Sequence, residues 1–87
     1  MEGKIIQKVW DVSTEVQLEV LDAIDKYPSR MDGSHMGRTV IAEELSKLQD
    51  EVKKQDIDMV KLRAKAIQVA AMAIRFVIDV CDKGEGK

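Results

Sequence analysis

Two lines of polar side chains, each at the three- and four-residue spacing that keeps them on one helix face, carry the chemistry this chain offers. One is Val40, Glu44, Lys47 and Glu51; the other is Lys61, Lys65, Gln68, Arg75 and Asp79, with Met72 between. Facing each other across an antiparallel helix pair, they would form a polar slot beside an aliphatic core. Lysine ammonium groups are point-charge partners for phosphate, and Arg63 or Arg75 would add a forked donor. The same lysines also suit salt bridges with Glu43, Glu44 or Glu51 across a solvated face, worth only about 0–1 kcal/mol each. His35 is the only histidine and Cys81 the only cysteine, so neither a zinc site nor an internal disulfide is expected. Cys81 reads as a small apolar residue and Trp10 and Phe76 as core. A glycine-rich phosphate loop and a Ser/His/acid set are both missing from the sequence.

The elements that must hold these lines read as three helices, giving an all-α fold in one domain over residues 1–87. In the first, about 3–26, Ile5, Val9, Val12, Val16 and Val20 form a stripe widened by Ile6, Trp10, Leu21 and Ile24. Ser13, Thr14 and Gln17 offer a capping box as an alternative helix start, but one continuous helix is the preferred reading. Pro28 disfavours helical geometry at Tyr27 and ends it. A loop from Tyr27 to Gly37 follows, built from Pro28, Asp32, Gly33, Ser34 and Gly37. Within it Gly33-Ser34-His35-Met36 looks like an affinity-tag remnant; its internal position argues for a native segment.

The second helix, about 38–54, buries Ile41, Leu45, Leu48 and Val52 and turns Glu43, Glu44, Lys47, Asp50 and Glu51 outward. Asp56 is the expected N-cap of the third, about 57–82, with Asp58 in its first turn and Gly84 and Gly86 in a frayed tail. Val60, Ala64, Ile67, Ala71, Ile74, Ile78 and Cys81 form a heptad-like seam. With Val69, Ala70, Met72, Ala73, Phe76 and Val77 the third helix is apolar nearly all round, which predicts burial on several sides. One chain of 87 residues is too little to cover it. The expectation is a three-helix protomer that forms a four-helix-type bundle as a homodimer or higher oligomer.

Composition narrows the class. Hydrophobic residues make up 45% and charged ones 34%, which suits a globular chain rather than a disordered one. A net charge of −2 and a pI near 5.4 argue against binding duplex nucleic acid, whose backbone selects clustered Lys and Arg. No apolar stretch approaches the roughly 18–20 residues of a membrane helix, and no leader pattern opens the chain, so a cytoplasmic protein is expected.

From Tyr27 to Asp82 the chain resembles the phage branch of the MazG-like nucleotide pyrophosphohydrolases. The resemblance rests on His35-x-Gly37, on Val40-Ile41-Ala42-Glu43-Glu44 and above all on Ile67-Gln68-Val69-Ala70-Ala71-Met72-Ala73. It implies an all-α fold and magnesium held by an E-x-x-E pair on one helix and an E-x-x-D pair on the next. Glu44 matches the first of those carboxylates, but Lys47, Lys65 and Gln68 stand at the other three positions, and Met36 replaces a loop residue that tends to be acidic. Two ammonium groups in a magnesium cage repel the ion. The resemblance therefore implies a site without metal or cofactor, in which Lys47, Lys65, Glu44, Gln68 and Arg75 bind a nucleotide or nucleotide-derived signal. His35, at the loop position, either meets its base or phosphate or is merely solvated. A phage protein of this kind would sit in the host cytoplasm and act as an anti-defence sponge for a messenger. Two alternatives stay open: a divergent metal-dependent pyrophosphohydrolase using Glu43, Glu44 and Asp79, and a dimeric interaction scaffold.

Overall fold

The computed structural model describes residues 3–82 and is all-α, with three helices and a final π-helical turn. Helix α1 spans Gly3–Lys26, α2 spans Gly33–Lys53 and α3 spans Met59–Phe76, continued by the π turn Val77–Cys81. Helix α1 is unbroken through Ser13 and Thr14, and the Thr14 hydroxyl donates back to the Trp10 carbonyl at 2.9 Å rather than capping a new start. It ends at Lys26, ahead of Pro28, as the proline requires.

Helix α3 is the centre of the fold. Helix α1 runs alongside it in the same direction: Glu15 meets Arg63, and twelve residues on, Arg75 meets the Ala23 carbonyl. Helix α2 runs back along another side, with Gly37 near its start against Phe76 at the end of α3. Among the described residues α1 and α2 pack on α3 and not on each other. The buried apolar residues are few: Val16, Val20 and Ala23 of α1, Met31, Ala71 of α3 and Val80. No helix of the described residues is long and apolar enough to cross a membrane.

Several expectations from the sequence need correction. Helix α2 begins at Gly33, not near residue 38, so the connection is only 27–32. Gly33 makes the turn with φ of 90°, a conformation glycine tolerates at no steric cost. Gly37 serves packing instead of turning: a Cβ there would lie 2.5 Å from Phe76 Cε2 and 3.3 Å from Met31 Sδ. The cap of α3 is Asp58, whose carboxylate accepts from the Val60 and Lys61 amides, and Asp56 lies outside the helix. The end of α3 widens into the π turn, where the Asp82 amide donates to the Val77 carbonyl at 2.7 Å. The expected tail at Gly84 and Gly86 falls outside the described residues.

Burial departs further. In the chain only Ala71 of the α3 seam is enclosed; Ile67 is half-buried, while Val60, Ala64, Ile74, Ile78 and Cys81 are exposed. On α1 the stripe is covered at Val16 and Val20 but open at Ile5, Val9 and Val12, because Glu15 already lies level with Arg63, in the first turns of α3. On α2, Leu45 and Val52 are exposed, and Glu51, expected in solvent, is buried. Trp10, read as core, is 64% exposed.

Candidate functional site

The two polar lines meet as the antiparallel packing of α2 on α3 dictates, but α1 supplies a third wall. Between α1 and α2, with α3 as its floor, lies a cavity of about 560 Å³. Lys65, Gln68, Met72 and Arg75 form the floor, and Met36, Val40, Glu43, Glu44 and Lys47 line the α2 side. Glu19, Asp22, Ala23 and Lys26 line the α1 side, with Tyr27, Ser29 and Met31 closing one end. Five of the six residues singled out in the sequence thus share one cavity: Glu44, Lys47, Lys65, Gln68 and Arg75. His35 does not line it; it is exposed, and its carbonyl accepts from the Thr39 hydroxyl at 3.0 Å.

The lysines are not equivalent. Lys47 Nζ donates to Glu44 Oε2 at 3.2 Å within α2 and leaves its side chain about half exposed. That is the solvated intrahelical pair the charge pattern allowed. Lys65 is half-buried on the floor and stands in no ion pair among the described residues. Gln68 is half-buried beside it, one turn along.

Arg75 lines the cavity yet spends most of its donors on the chain itself. Nε donates to Asp79 Oδ2 at 3.1 Å, Nη1 to the Ala23 carbonyl at 3.2 Å, and Nη2 to the Tyr27 and Ser29 carbonyls. Four of its five N–H donors are engaged, so one on Nη1 remains for a ligand. Arg63 is likewise engaged, bidentately, with Glu15. That hydrogen bond, and then the guanidinium charge, lower the Glu15 carboxyl below its ordinary range. On the cavity wall Lys26 is raised by its hydrogen bond to Asp22, 3.1 Å away, and by that carboxylate's charge.

The donor set does not fit a magnesium ion. Glu44 is held by Lys47, with Lys65 in the same cavity, and no three His, Cys, Asp or Glu side chains gather closely enough among the described residues to hold a metal. Asp79, a carboxylate a rearranged hydrolase would need, lies outside the cavity lining. Its Oδ2 accepts from Arg75 and, at 3.0 Å, from the Met31 amide.

The α1 wall is not among the residues expected from the sequence to line the slot. Its signal was present in Glu19, Asp22 and Lys26, spaced three and four apart on one helix face. Comparison with protein-family models, with curated proteins and with solved structures finds no match.

Proposed function

We propose that this chain is a non-catalytic, MazG-like binding protein that holds a nucleotide or nucleotide-derived signal in the cavity between its three helices. The observation that carries the reading is Lys65: a half-buried cation without an ion-pair partner among the described residues, on the floor of a ligand-sized cavity. Glu44, Lys47, Gln68 and the remaining Arg75 donor surround the same space. An ammonium group placed there supplies the charge a phosphate needs without a metal. Retention without turnover is what a sponge for a host messenger requires, and a phage protein acting in the host cytoplasm suits that role.

Self-association belongs to the same reading. A radius of gyration of 14.6 Å exceeds the roughly 12 Å of a compact domain this long, and Val60, Ile74, Val77 and Ile78 along α3 stay exposed. A second copy packed on α3 would cover them in a four-helix-type core. This exposed surface also favours a second reading, the dimeric interaction scaffold.

Calorimetric titration with a panel of linear and cyclic nucleotides tests the binding reading. Binding is expected with the wild type, lost with Lys65→Glu and weakened less with Lys47→Glu, because Lys47 already has Glu44. No binding to any nucleotide overturns it in favour of the scaffold. Pyrophosphate release from nucleoside triphosphates with Mg²⁺ or Mn²⁺ overturns it in favour of an enzyme. Sedimentation as a stable folded monomer overturns the assembly.

A further inference from the structure

The charges that line the cavity are unevenly paired. Its lining carries four carboxylates, Glu19, Asp22, Glu43 and Glu44, and four cations, Lys26, Lys47, Lys65 and Arg75, so it sums to zero. Pairing removes most of them: Lys26 with Asp22 at 3.1 Å, Lys47 with Glu44 at 3.2 Å, and Arg75 with Asp79 at 3.1 Å. Among the described residues, the unpaired lining charges are Lys65 on one side and Glu19 and Glu43 on the other. A metal-free triphosphate would bring about four negative charges to one free cation and two free carboxylates. Each phosphate charge brought near Glu19 or Glu43 is repelled. Lys65 offsets one such charge and no more.

Toward the start of α3 the lining is Lys65, Lys47, Glu44 and Gln68; toward its end Met36, Met72, Val40 and Tyr27 stand beside Asp22, Lys26 and Arg75, whose charges are already paired. Lys65 and Met72 are seven residues apart on one helix, a rise of roughly 10 Å. Thioether and aromatic groups adapt to a flat ring, and a lone ammonium matches a monoanion. We propose that the cavity takes a singly charged nucleotide phosphodiester, such as a cyclic mononucleotide, with its base at the methionine end and its phosphodiester on Lys65, and that it turns away nucleoside triphosphates. This inference rests on the nucleotide-binding reading above.

The test is calorimetry in EDTA with 3′,5′-cyclic AMP and cyclic GMP against ATP, GTP and the uncharged nucleosides. A cyclic nucleotide is expected to bind at least tenfold more tightly than either triphosphate. Lys65→Met should reduce its affinity to that of the nucleoside, with helicity by circular dichroism unchanged. Glu19→Gln with Glu43→Gln should raise triphosphate affinity selectively. A triphosphate binding most tightly overturns the inference while leaving the nucleotide-binding reading intact. An unchanged affinity in Lys65→Met overturns the placement of the phosphodiester. Binding of none of these compounds overturns this inference, whereas the reading on which it rests falls only if the wider panel of linear and cyclic nucleotides also fails to bind.

Discussion

Arg75 and Asp79, one turn apart where α3 passes into the π turn, form an ion pair at 3.1 Å with both side chains more than nine-tenths buried. The guanidinium also holds the Ala23, Tyr27 and Ser29 carbonyls, and the carboxylate holds the Met31 amide. The pair therefore fastens the end of α1 and the connection after it to α3. Removing one partner strands a buried charge, which costs roughly 3–5 kcal/mol. Arg75→Ala and Asp79→Ala should each lower stability by about that much in urea titrations. Arg75→Lys should recover little, because an ammonium cannot reproduce the fork. Losses below about 1 kcal/mol would show that the pair is not a fastening.

Gly37 and Phe76 make the corresponding fastening between α2 and α3. Alanine is about 1 kcal/mol better than glycine inside a helix, but a Cβ at residue 37 enters the Phe76 ring, and overpacking costs typically 1–3 kcal/mol. Gly37→Ala is expected to destabilise by about 1 kcal/mol. Phe76→Leu should be less harmful in the Gly37→Ala background than alone, a coupling read by a double-mutant cycle. Additive effects would refute the contact.

These two fastenings mark where the sequence was legible and where it was not. Helix α1 was readable to its last residue because Pro28 enforces its stop, and the α2 and α3 polar lines were readable because spacing alone puts each on one face. Gly37 was not, since a glycine beside Asp32, Gly33 and Ser34 looks like turn chemistry until Phe76 is placed over it. Arg75 and Asp79 matched the ligand line in spacing, but spacing carries no information about backbone carbonyls from a distant helix end. The α1 wall was missed because parallel packing of α1 on α3 depends on the whole topology. His35 fell out because α2 starts earlier than the glycines suggest and carries it to an exposed position.

Glu15 and Arg63 tie α1 to α3 near the start of α3, and the tie is sensitive to pH. The folded carboxyl is depressed below its ordinary value of 4.5, chiefly by its hydrogen bond to Arg63. The unfolded chain therefore binds the proton more readily: the stabilisation is present above pH 4.5 and is lost as pH falls through the lower folded value. Both side chains are about half exposed, so salt should screen the effect. Glu15→Gln should lower Tm slightly in the neutral region and converge with the wild type as pH falls below 4.5, so that its acid limb is flatter. A wild-type acid limb identical to that of the variant would dismiss the tie.

Glu51 is the one buried side chain among the described residues that the chain leaves incompletely satisfied. Residue exposure is 8%; Oε2 accepts from Lys54 at 2.9 Å, while buried Oε1 has no partner. An unsatisfied buried acceptor costs about 1–3 kcal/mol, and a charged one more, whereas an apolar group of similar shape removes that cost. Lys54 is about half exposed and can return to water when its partner is removed. Glu51→Met is therefore expected to stabilise the folded protein by about 1 kcal/mol, measured as a rise in the urea midpoint at unchanged m-value. A loss of stability would mean that Oε1 meets a donor from outside the protomer. In that case repeating the measurement across protein concentration separates the sources: a deficit that grows on dilution assigns the donor to a second copy, and one independent of concentration assigns it to a small ligand or ion.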